Sequence, residues 1–175
     1  MVARNLETIY GNDIAIRAFA EVVKVYPDAR LTIAGSGPEL KNLECLSEKL
    51  AVNEKITFTG RVDTTLMPTL YQSADVVLNP SRVDNMPNSI LESLASGTPV
   101  VTTNVGGIPY IVKHEKTALL VDPDDYIAMA AAICKLLKNS QFREEIIDKG
   151  RDSVRQYSWS EVGQHWISLY KNLTV

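Results

Sequence analysis

The chain contains 175 residues, of which 45% are hydrophobic and 22% charged, and its formal net charge is −3. This composition is ordinary for a globular protein, and the length predicts a single domain over residues 1–175 with a large buried core. The acidic balance excludes nucleic acid as an expected partner, because phosphate backbones bind positively charged surfaces.

Cysteine usage and hydropathy bear on the compartment. Cys45 and Cys134 lie far apart in helical-looking segments, and neither has the spacing of a metal ligand. We therefore expect two buried free thiols in a reducing compartment. No apolar run in the sequence approaches the roughly 20 residues that cross a bilayer, and no signal peptide is visible. The sequence predicts a cytoplasmic protein, whose contact with the cytoplasmic membrane face, if it has one, is peripheral.

An amphipathic helix is predicted directly after Gly11. Apolar residues recur at helical spacing from Ile14 onward, so one face of this helix is expected to be buried. Asn12 or Asp13 is expected to cap it, since short polar side chains satisfy the free N–H groups of a helix start.

The next segment predicts a strand, a glycine-rich turn and a helix. Residues 31–34 have the apolar pattern of a short strand, and the helix runs to about Leu50. The turn at residues 35–39 lacks the third glycine of a dinucleotide fingerprint and has Pro38 at a helix start. We therefore interpret it as a strand-to-helix turn, which argues against a dehydrogenase.

Two further strands are predicted in the middle of the chain. Residues 55–59 form the first, a loop at residues 60–63 follows it, and residues 74–78 form the second. The short helix between them is patterned by its apolar residues Leu66, Leu70 and Tyr71.

A loop, a helix and a strand follow in the central stretch of the chain. The loop carries Asp84, and Pro87 is placed to open the helix because its missing N–H costs nothing at the first position. Gly97 ends the helix, and residues 99–101 begin a buried strand. The free N–H groups and the dipole of such a helix start attract anions, and Asp84 and Glu92 flank it.

Carboxylates beside an anion site suit a ligand that has both phosphate and hydroxyl groups, such as a nucleotide sugar. Carboxylate oxygens accept hydrogen bonds from sugar hydroxyls, whereas the helix start holds phosphate. From this spacing alone a simpler interpretation stays open, in which Asp84 is a loop residue and Glu92 a solvated helix residue.

The last third of the chain is mainly helical. Residues 108–112 predict a helical turn and residues 116–121 a strand, and Asp124 or Asp125 then complements the dipole of a new helix. The residues expected to face inward on that helix are Ile127, Ala130, Ala131, Ile133, Leu136 and Leu137.

Two helices are predicted to close the chain. One covers about residues 140–156, and Ser158 with Glu161 forms a capping box for the other. The apolar side of the last helix consists of Val162, Trp166, Ile167, Leu169 and Tyr170.

This alternation of strands and helices predicts an α/β fold, a Rossmann-like doubly wound parallel sheet with helices on both faces. The glycine-rich turns and Asp84 all follow strands, and ligands of such folds bind outside the carboxyl ends of strands. No metal is expected in this site, because His114 and His165 are isolated in the sequence.

The central stretch carries an ordered set of motifs. Asp84 and Glu92 are separated by seven residues, and the strand sequence at residues 97–101 and the pair Gly106 and Gly107 follow them. This combination resembles the signature of retaining glycosyltransferases with the GT-B fold, the group 1 or family 4 type that includes sucrose synthases and bacterial mannosyltransferases. The resemblance covers nearly the whole chain, and it is to the C-terminal, donor-binding half of such enzymes.

The resemblance implies a function and an organisation. Such enzymes transfer a sugar from a nucleotide-diphosphate sugar, of the UDP or GDP type, to an acceptor hydroxyl with retention of configuration. No metal or other cofactor is required. We expect the acceptor-binding N-terminal domain of the same enzyme to be absent from this chain, and Met1 to be a partial start. If that half is missing, aromatic side chains of the last helix are expected to be exposed.

The resemblance also assigns roles to residues. Asp84 and Glu92 are the expected catalytic pair, in which Asp84 holds hydroxyls of the donor sugar and Glu92 accepts from the ribose hydroxyls. Arg4 and the start of the helix would bind the diphosphate, and the loop after the third strand would meet the base through its backbone. The expected donor-binding residues are Arg4, Arg61, Val62, Asn85, Met86, Pro87, Asn88 and Glu92.

Two positions depart from the family pattern. Tyr10 stands where the family usually has a lysine that pairs with the diphosphate, and Asp84 is shorter by about 1 to 1.5 Å than the usual glutamate. An alternative hypothesis is therefore a non-catalytic or weakly active nucleotide-sugar-binding homologue. A GT-B fold epimerase that acts on a nucleotide sugar is a further alternative.

Overall fold

A parallel sheet of six strands forms the centre of the computed structural model, which describes residues 1–173. The strands are β1 Val2–Ala3, β2 Leu31–Ala34, β3 Ile56–Gly60, β4 Val77–Asn79, β5 Val100–Thr103 and β6 Leu119–Val121. Their order across the sheet is β3-β2-β1-β4-β5-β6, and every neighbouring pair is parallel. The chain therefore builds the sheet outward in one direction from β1 and in the other from β4, which confirms the doubly wound fold.

Helices cover both faces of this sheet, as expected. They are α1 Asn12–Val25, α2 Leu40–Lys49, α3 Met67–Gln72, α4 Asn88–Ala95, α5 Ile108–Ile111, α6 Tyr126–Lys138, α7 Ser140–Val154 and α8 Trp159–Leu173. Successive strand residues point to opposite faces, so Leu78 joins the buried cluster of α1 and α6 while Val77 joins that of α3, α4 and α5. The inner strand β4 is therefore buried on both sides, which explains the apolar run that leads into it. The edge strand β3 differs, because Thr57 and Thr59 are exposed.

The start of α1 differs from the prediction, because neither Asn12 nor Asp13 caps it. The N-cap is Gly11, with φ of 63° and no side-chain hydrogen bond at the cap. The amide of Asn12 donates instead to the carbonyl of Asn5 at 2.9 Å. A side chain at Gly11 would collide with the backbone of Pro80, since a Cβ there would lie 2.1 Å from that carbonyl oxygen. Close packing against the chain after β4 therefore decides this helix start.

The predicted inward face of α6 is partly wrong. Ala130, Ile133 and Leu136 are buried as expected, but Ile127 is 53% exposed and Ala131 is also exposed. Asp125 caps the helix by accepting from the backbone N–H of Ala128 at 2.8 Å.

The expectation of two buried thiols is also only partly met. Both cysteines are free, but Cys45 is exposed and Cys134 is only partly buried. Cys45 lies on the solvent side of α2, whose buried residues are Leu43 and Ser47.

The last helix exposes most of its predicted apolar side. Trp166, Ile167 and Tyr170 are 49%, 50% and 62% exposed, and the rings of Trp166 and Tyr170 stack with centroids 6.0 Å apart. The carbonyl of Ser158 accepts from the N–H groups of Glu161 and Val162, and its hydroxyl lies 2.8 Å from that of Ser160. Among residues 1–173, no helix combines the length and the apolar character needed to span a bilayer.

Candidate functional site

A cavity of about 750 Å³ opens where the strand order reverses between β1 and β4. Arg4 follows β1 directly, Asp84 lies in the loop after β4, and both line the cavity. The carboxyl edge of a doubly wound sheet at its switch point is the general place for a ligand, because the two neighbouring loops diverge there.

Arg4 and Asp84 form an ion pair on the cavity wall. Nη2 of Arg4 donates to Oδ2 of Asp84 at 2.5 Å, and the two side chains are 13% and 10% exposed. The same oxygen accepts from Oγ of Ser81 at 3.1 Å, and Oδ1 accepts from the backbone N–H of Asn85 at 2.9 Å. Both oxygens of this carboxylate are therefore held by protein groups.

Tyr10 supports the arginine of this pair. The guanidinium carbon of Arg4 lies 4.1 Å from the centroid of the Tyr10 ring, and both residues line the cavity. This is a cation–π contact, in which the face of the ring attracts the positive charge. Nε of Arg4 is buried and has no hydrogen-bond partner among residues 1–173. The arginine is thus held by a ring and one carboxylate oxygen, and its buried Nε donor is unused.

Arg82 fixes the loop that carries Asp84. Its guanidinium donates to both oxygens of Asp13 at 3.0 and 2.8 Å, to Asp124 at 2.7 Å and to the carbonyl of Thr8 at 2.6 Å. The hydrogen bonds to Asp13 raise the pKa of Arg82 above its ordinary value. Since Thr8 precedes α1, Asp13 lies in its first turn and Asp124 precedes α6, the arginine connects these three segments to the loop.

The glycine pair after β5 packs directly against the same loop. A Cβ at Gly106 would lie 1.9 Å from the carbonyl oxygen of Asp84, and one at Gly107 would lie 1.9 Å from that of Asn85. Gly106 also has φ of 52°, which L side chains rarely adopt. These glycines therefore allow the backbone approach that places Asp84 at the cavity.

Glu92 reaches the cavity from α4 and contacts a buried tyrosine of α3. Oη of Tyr71 donates to Oε2 of Glu92 at 2.9 Å, and Tyr71 is only 1% exposed. Burial, together with this hydrogen bond, raises the pKa of Tyr71 above its ordinary value. The tyrosine therefore remains a hydrogen-bond donor to the carboxylate at physiological pH.

Most of the residues predicted for the site meet at this one cavity. Asn85 is the exception, since it does not line the wall and its backbone N–H supports Asp84 instead. The predicted residues that line the cavity are Arg4, Arg61, Val62, Asp84, Met86, Pro87, Asn88 and Glu92.

The helix start predicted at Pro87 is displaced by one residue. Pro87 is the N-cap of α4 with extended backbone, Asn88 is the first helical residue, and no side chain caps the start. The first N–H groups of an α-helix have no partner within it, so this start offers donors beside the cavity. Both Asn88 and Ser89 line the wall.

Two contacts in the site correspond to no pattern in the sequence. The apolar spacing places Tyr71 on an apolar helix face and contains nothing about its hydroxyl. At Tyr10 the sequence shows only that the lysine of the family is replaced, because the stacking on Arg4 depends on tertiary placement. No pattern in the local sequence could have found either contact.

The charges of the cavity wall balance. Its charged residues are Arg4, Arg61, Asp84 and Glu92, two of each sign. No group of three or more His, Cys, Asp or Glu side chains with metal-ligand proximity occurs within the part of the chain that the structure describes. The wall therefore combines positive groups and helix N–H donors for phosphate with carboxylates for hydroxyl groups.

Two proteins with a similar sequence are glycosyltransferases. An uncharacterized glycosyltransferase of Methanocaldococcus jannaschii is 36% identical over 162 residues, covering 92% of this chain and 41% of that protein. A GDP-mannose-dependent alpha-(1-6)-phosphatidylinositol monomannoside mannosyltransferase of Mycobacterium tuberculosis is 33% identical over 157 residues. The match covers 85% of this chain and 41% of that protein. The chain thus spans about two fifths of the length of these relatives.

A solved structure of similar extent agrees with the fold. The C-terminal domain of a glycosyl transferase group 1 family protein from Francisella tularensis has a TM-score of 0.81 and 26% identity, covering 89% of this chain and 83% of that one. The family model described as glycosyl transferases group 1 matches residues 1–153, which include every residue of the cavity wall. The chain therefore belongs to the group 1 glycosyltransferases and has the size and fold of their C-terminal domain.

Proposed function

We propose that this chain is the donor-binding half of a retaining glycosyltransferase, which transfers a sugar from a nucleotide-diphosphate sugar to an acceptor hydroxyl. The observation that carries the proposal is the cavity at the switch point, where Arg4, Asp84, Glu92 and the start of α4 share one wall. Each group suits one part of such a donor, and family membership supports the same class of reaction.

Each part of the donor has a matching group on the wall. The diphosphate lies against the N–H groups at Asn88 and Ser89 and takes the guanidinium of Arg4. Glu92 accepts from the ribose hydroxyls, and Asp84 holds hydroxyls of the transferred sugar. The base lies near Arg61 and Val62, whose main chain supplies the contacts.

Charge stabilisation then accounts for the catalysis. Cleavage of the bond between the anomeric carbon and the phosphate oxygen leaves a nucleoside diphosphate with added negative charge. Arg4 and the start of α4 stabilise that charge, which is electrostatic catalysis by groups already in place. Asp84 orients the anomeric carbon toward the acceptor, so proximity contributes as well. This scheme needs no metal ion, because protein donors supply the positive charge.

The chain covers 41% of the length of two relatives. We propose that the acceptor site and the opposite wall of the cleft lie in the part of the enzyme that corresponds to the remainder of those relatives. The isolated chain is therefore expected to bind the donor weakly and to transfer little sugar. Its proposed location is the cytoplasm, with at most a peripheral membrane contact.

Titration calorimetry on the full-length protein tests donor binding. UDP and GDP are titrated separately, since both donor types are compatible with main-chain contacts to the base. Binding of either nucleotide that weakens in a Glu92→Ala variant supports the proposed site, and failure of both to bind contradicts it. The anomeric proton coupling of the product, measured by NMR, then tests retention of configuration.

A second candidate is a binding homologue without transferase activity. Two observations favour it: Tyr10 occupies the position where the family usually has a lysine, and Arg4 is already paired with Asp84. Nucleotide-sugar binding without turnover in the presence of acceptor sugars, and without hydrolysis, would support this function over transfer.

A further inference from the structure

We propose that Tyr10 is a positioning residue of the donor site, whose ring holds the Arg4 guanidinium at the cavity so that a diphosphate can take it from Asp84. This inference rests on the proposed donor-binding function and adds a residue to which nothing else assigns a role. The relevant juxtaposition is the stack of Tyr10 and Arg4 beside the carboxylate of Asp84.

The ring of Tyr10 fixes the position of Arg4. A long arginine side chain loses considerable rotamer freedom when it is held in one place, so an exposed guanidinium would be poorly positioned. Here the Tyr10 ring lies 4.1 Å from the guanidinium carbon and leaves the arginine side chain only 13% exposed. The ring face attracts the cation without occupying any of its N–H donors. The contact with the ring therefore uses none of the five N–H donors of the guanidinium.

Asp84 holds the arginine through only one hydrogen bond. Only Nη2 of Arg4 donates to this carboxylate, whereas arginine and carboxylate groups can form two parallel hydrogen bonds. Nε is buried without a partner among the described residues, so the pair leaves a donor unsatisfied. A diphosphate offers several anionic oxygens and can accept from more than one N–H. The guanidinium therefore gains hydrogen bonds when it turns from Asp84 to phosphate.

Asp84 keeps two other hydrogen bonds when the guanidinium of Arg4 turns to phosphate. Its Oδ2 keeps the hydrogen bond from Ser81 at 3.1 Å, and its Oδ1 keeps the backbone N–H of Asn85 at 2.9 Å. The carboxylate thus stays in position when Arg4 leaves, with one acceptor site released for a sugar hydroxyl. Phosphate binding and sugar binding are coupled in this way, through an arginine that remains stacked on Tyr10.

The test compares the nucleotide affinities of tyrosine variants of the full-length protein. The wild type is first titrated with UDP and with GDP, and the nucleotide that binds more tightly is then used for all variants. Tyr10→Leu removes the ring and is expected to weaken binding roughly threefold to tenfold, the range of a partly buried cation–π contact. Tyr10→Phe keeps the ring and is expected to restore affinity to within about twofold of the wild type. Tyr26→Leu is the matched control, because Tyr26 ends α1 at the opposite edge of the sheet from Tyr10.

A double-mutant cycle with Arg4→Met shows whether Tyr10 acts through the arginine. In the Arg4→Met background, Tyr10→Leu is expected to change nucleotide affinity by less than about twofold, because there is no cation left to position. If Tyr10→Leu lowers nucleotide affinity as much in the Arg4→Met background as in the wild type, Tyr10 acts independently of Arg4. This result would overturn the inference.

The remaining outcomes separate the inference from the function on which it rests. If the wild type binds nucleotide and Tyr10→Leu binds equally well, the positioning role is wrong and the proposed function stands. If Tyr10→Leu and Tyr26→Leu lower nucleotide affinity equally, the loss is a general effect on the fold, and the positioning role is again wrong. If the wild type binds neither UDP nor GDP, both the inference and the proposed function are wrong.

Discussion

Tyr71 and Glu92 connect the core of the protein to its cavity through one hydrogen bond of 2.9 Å. Tyr71 is 1% exposed and packs within the cluster on one sheet face, whereas Glu92 is an exposed residue of α4 that lines the cavity. The carbonyl of Tyr71 also accepts from Oγ1 of Thr98 at 2.8 Å, so its backbone is fixed as well. The buried phenol thus sets the orientation of a carboxylate that would otherwise rotate freely.

Replacing Tyr71 by phenylalanine is expected to weaken donor binding without loss of the fold. The change removes one hydrogen bond, whose net contribution is about 1 kcal/mol, and leaves the ring in the core. Nucleotide affinity of the full-length protein should therefore fall roughly fivefold, since 1.4 kcal/mol corresponds to a factor of ten. Titration calorimetry measures it, with Tyr110→Phe as control because Tyr110 is 84% exposed. Equal affinity in both variants would show that Glu92 does not need this partner.

Removal of the carboxylate itself should have a larger effect. Glu92→Ala in the full-length enzyme is expected to cost about 2 to 4 kcal/mol of transition-state stabilisation, the size of a lost charged contact at an active site. The measurement is kcat/KM for sugar transfer, converted to a free energy by the logarithm of its ratio to the wild type. Glu48→Ala, on the exposed side of α2, is the matched control. Unchanged kcat/KM in Glu92→Ala would remove this residue from the mechanism.

Much of this architecture could be predicted from the sequence because apolar periodicity and breakers are local signals. The strand at residues 31–34 has the predicted bounds, and Gly97 follows the end of α4 with φ of 77°. Most of the predicted site residues share one cavity because parallel strands bring the loops after them to one edge. The family signature then predicts that Asp84 and Glu92 are the acidic residues of the site.

The remaining features depend on contacts between distant parts of the chain. Arg4 and Asp84 are 80 residues apart, and their pairing follows from the adjacency of β1 and β4, which no local pattern specifies. The prediction that Asn12 or Asp13 caps α1 was wrong. Gly11 is the N-cap because the backbone of Pro80 leaves no room for a side chain there. Ile127 fits an apolar helical stripe but lies at its edge, where the neighbouring elements of the fold leave it exposed.

Substitution of Gly106 by alanine should destabilise the protein through the loop that carries Asp84. The new Cβ would lie 1.9 Å from the carbonyl oxygen of Asp84, so the loop or the turn must move. Gly60→Ala is a matched control, because Gly60 has a comparable φ of 67° but no atom within 4 Å of its Cβ. We expect about 1 kcal/mol of lost stability for the control and more than about 3 kcal/mol for Gly106→Ala. Urea unfolding of the 175-residue chain measures both, and equal losses would show that the collision is relieved.

Arg82 should stabilise the same loop from the side of α1. Arg82→Met keeps the length of the side chain but removes its hydrogen bonds to Asp13, to Asp124 and to the carbonyl of Thr8. Because Arg82 is partly exposed and water can replace some of these bonds, we expect a loss of about 1 to 3 kcal/mol in the free energy of unfolding.

The control for this change is Arg155→Met. Arg155 forms a single ion pair with Asp152 at 3.2 Å, and its side chain is 77% exposed, so its removal should cost less than about 0.5 kcal/mol. Urea unfolding at pH 7 compares the two variants, and nucleotide titration of the full-length Arg82→Met protein then shows whether the loop still presents Asp84. Similar stability of Arg82→Met and Arg155→Met would mean that the backbone contacts of Gly106 and Gly107 hold the loop without the arginine.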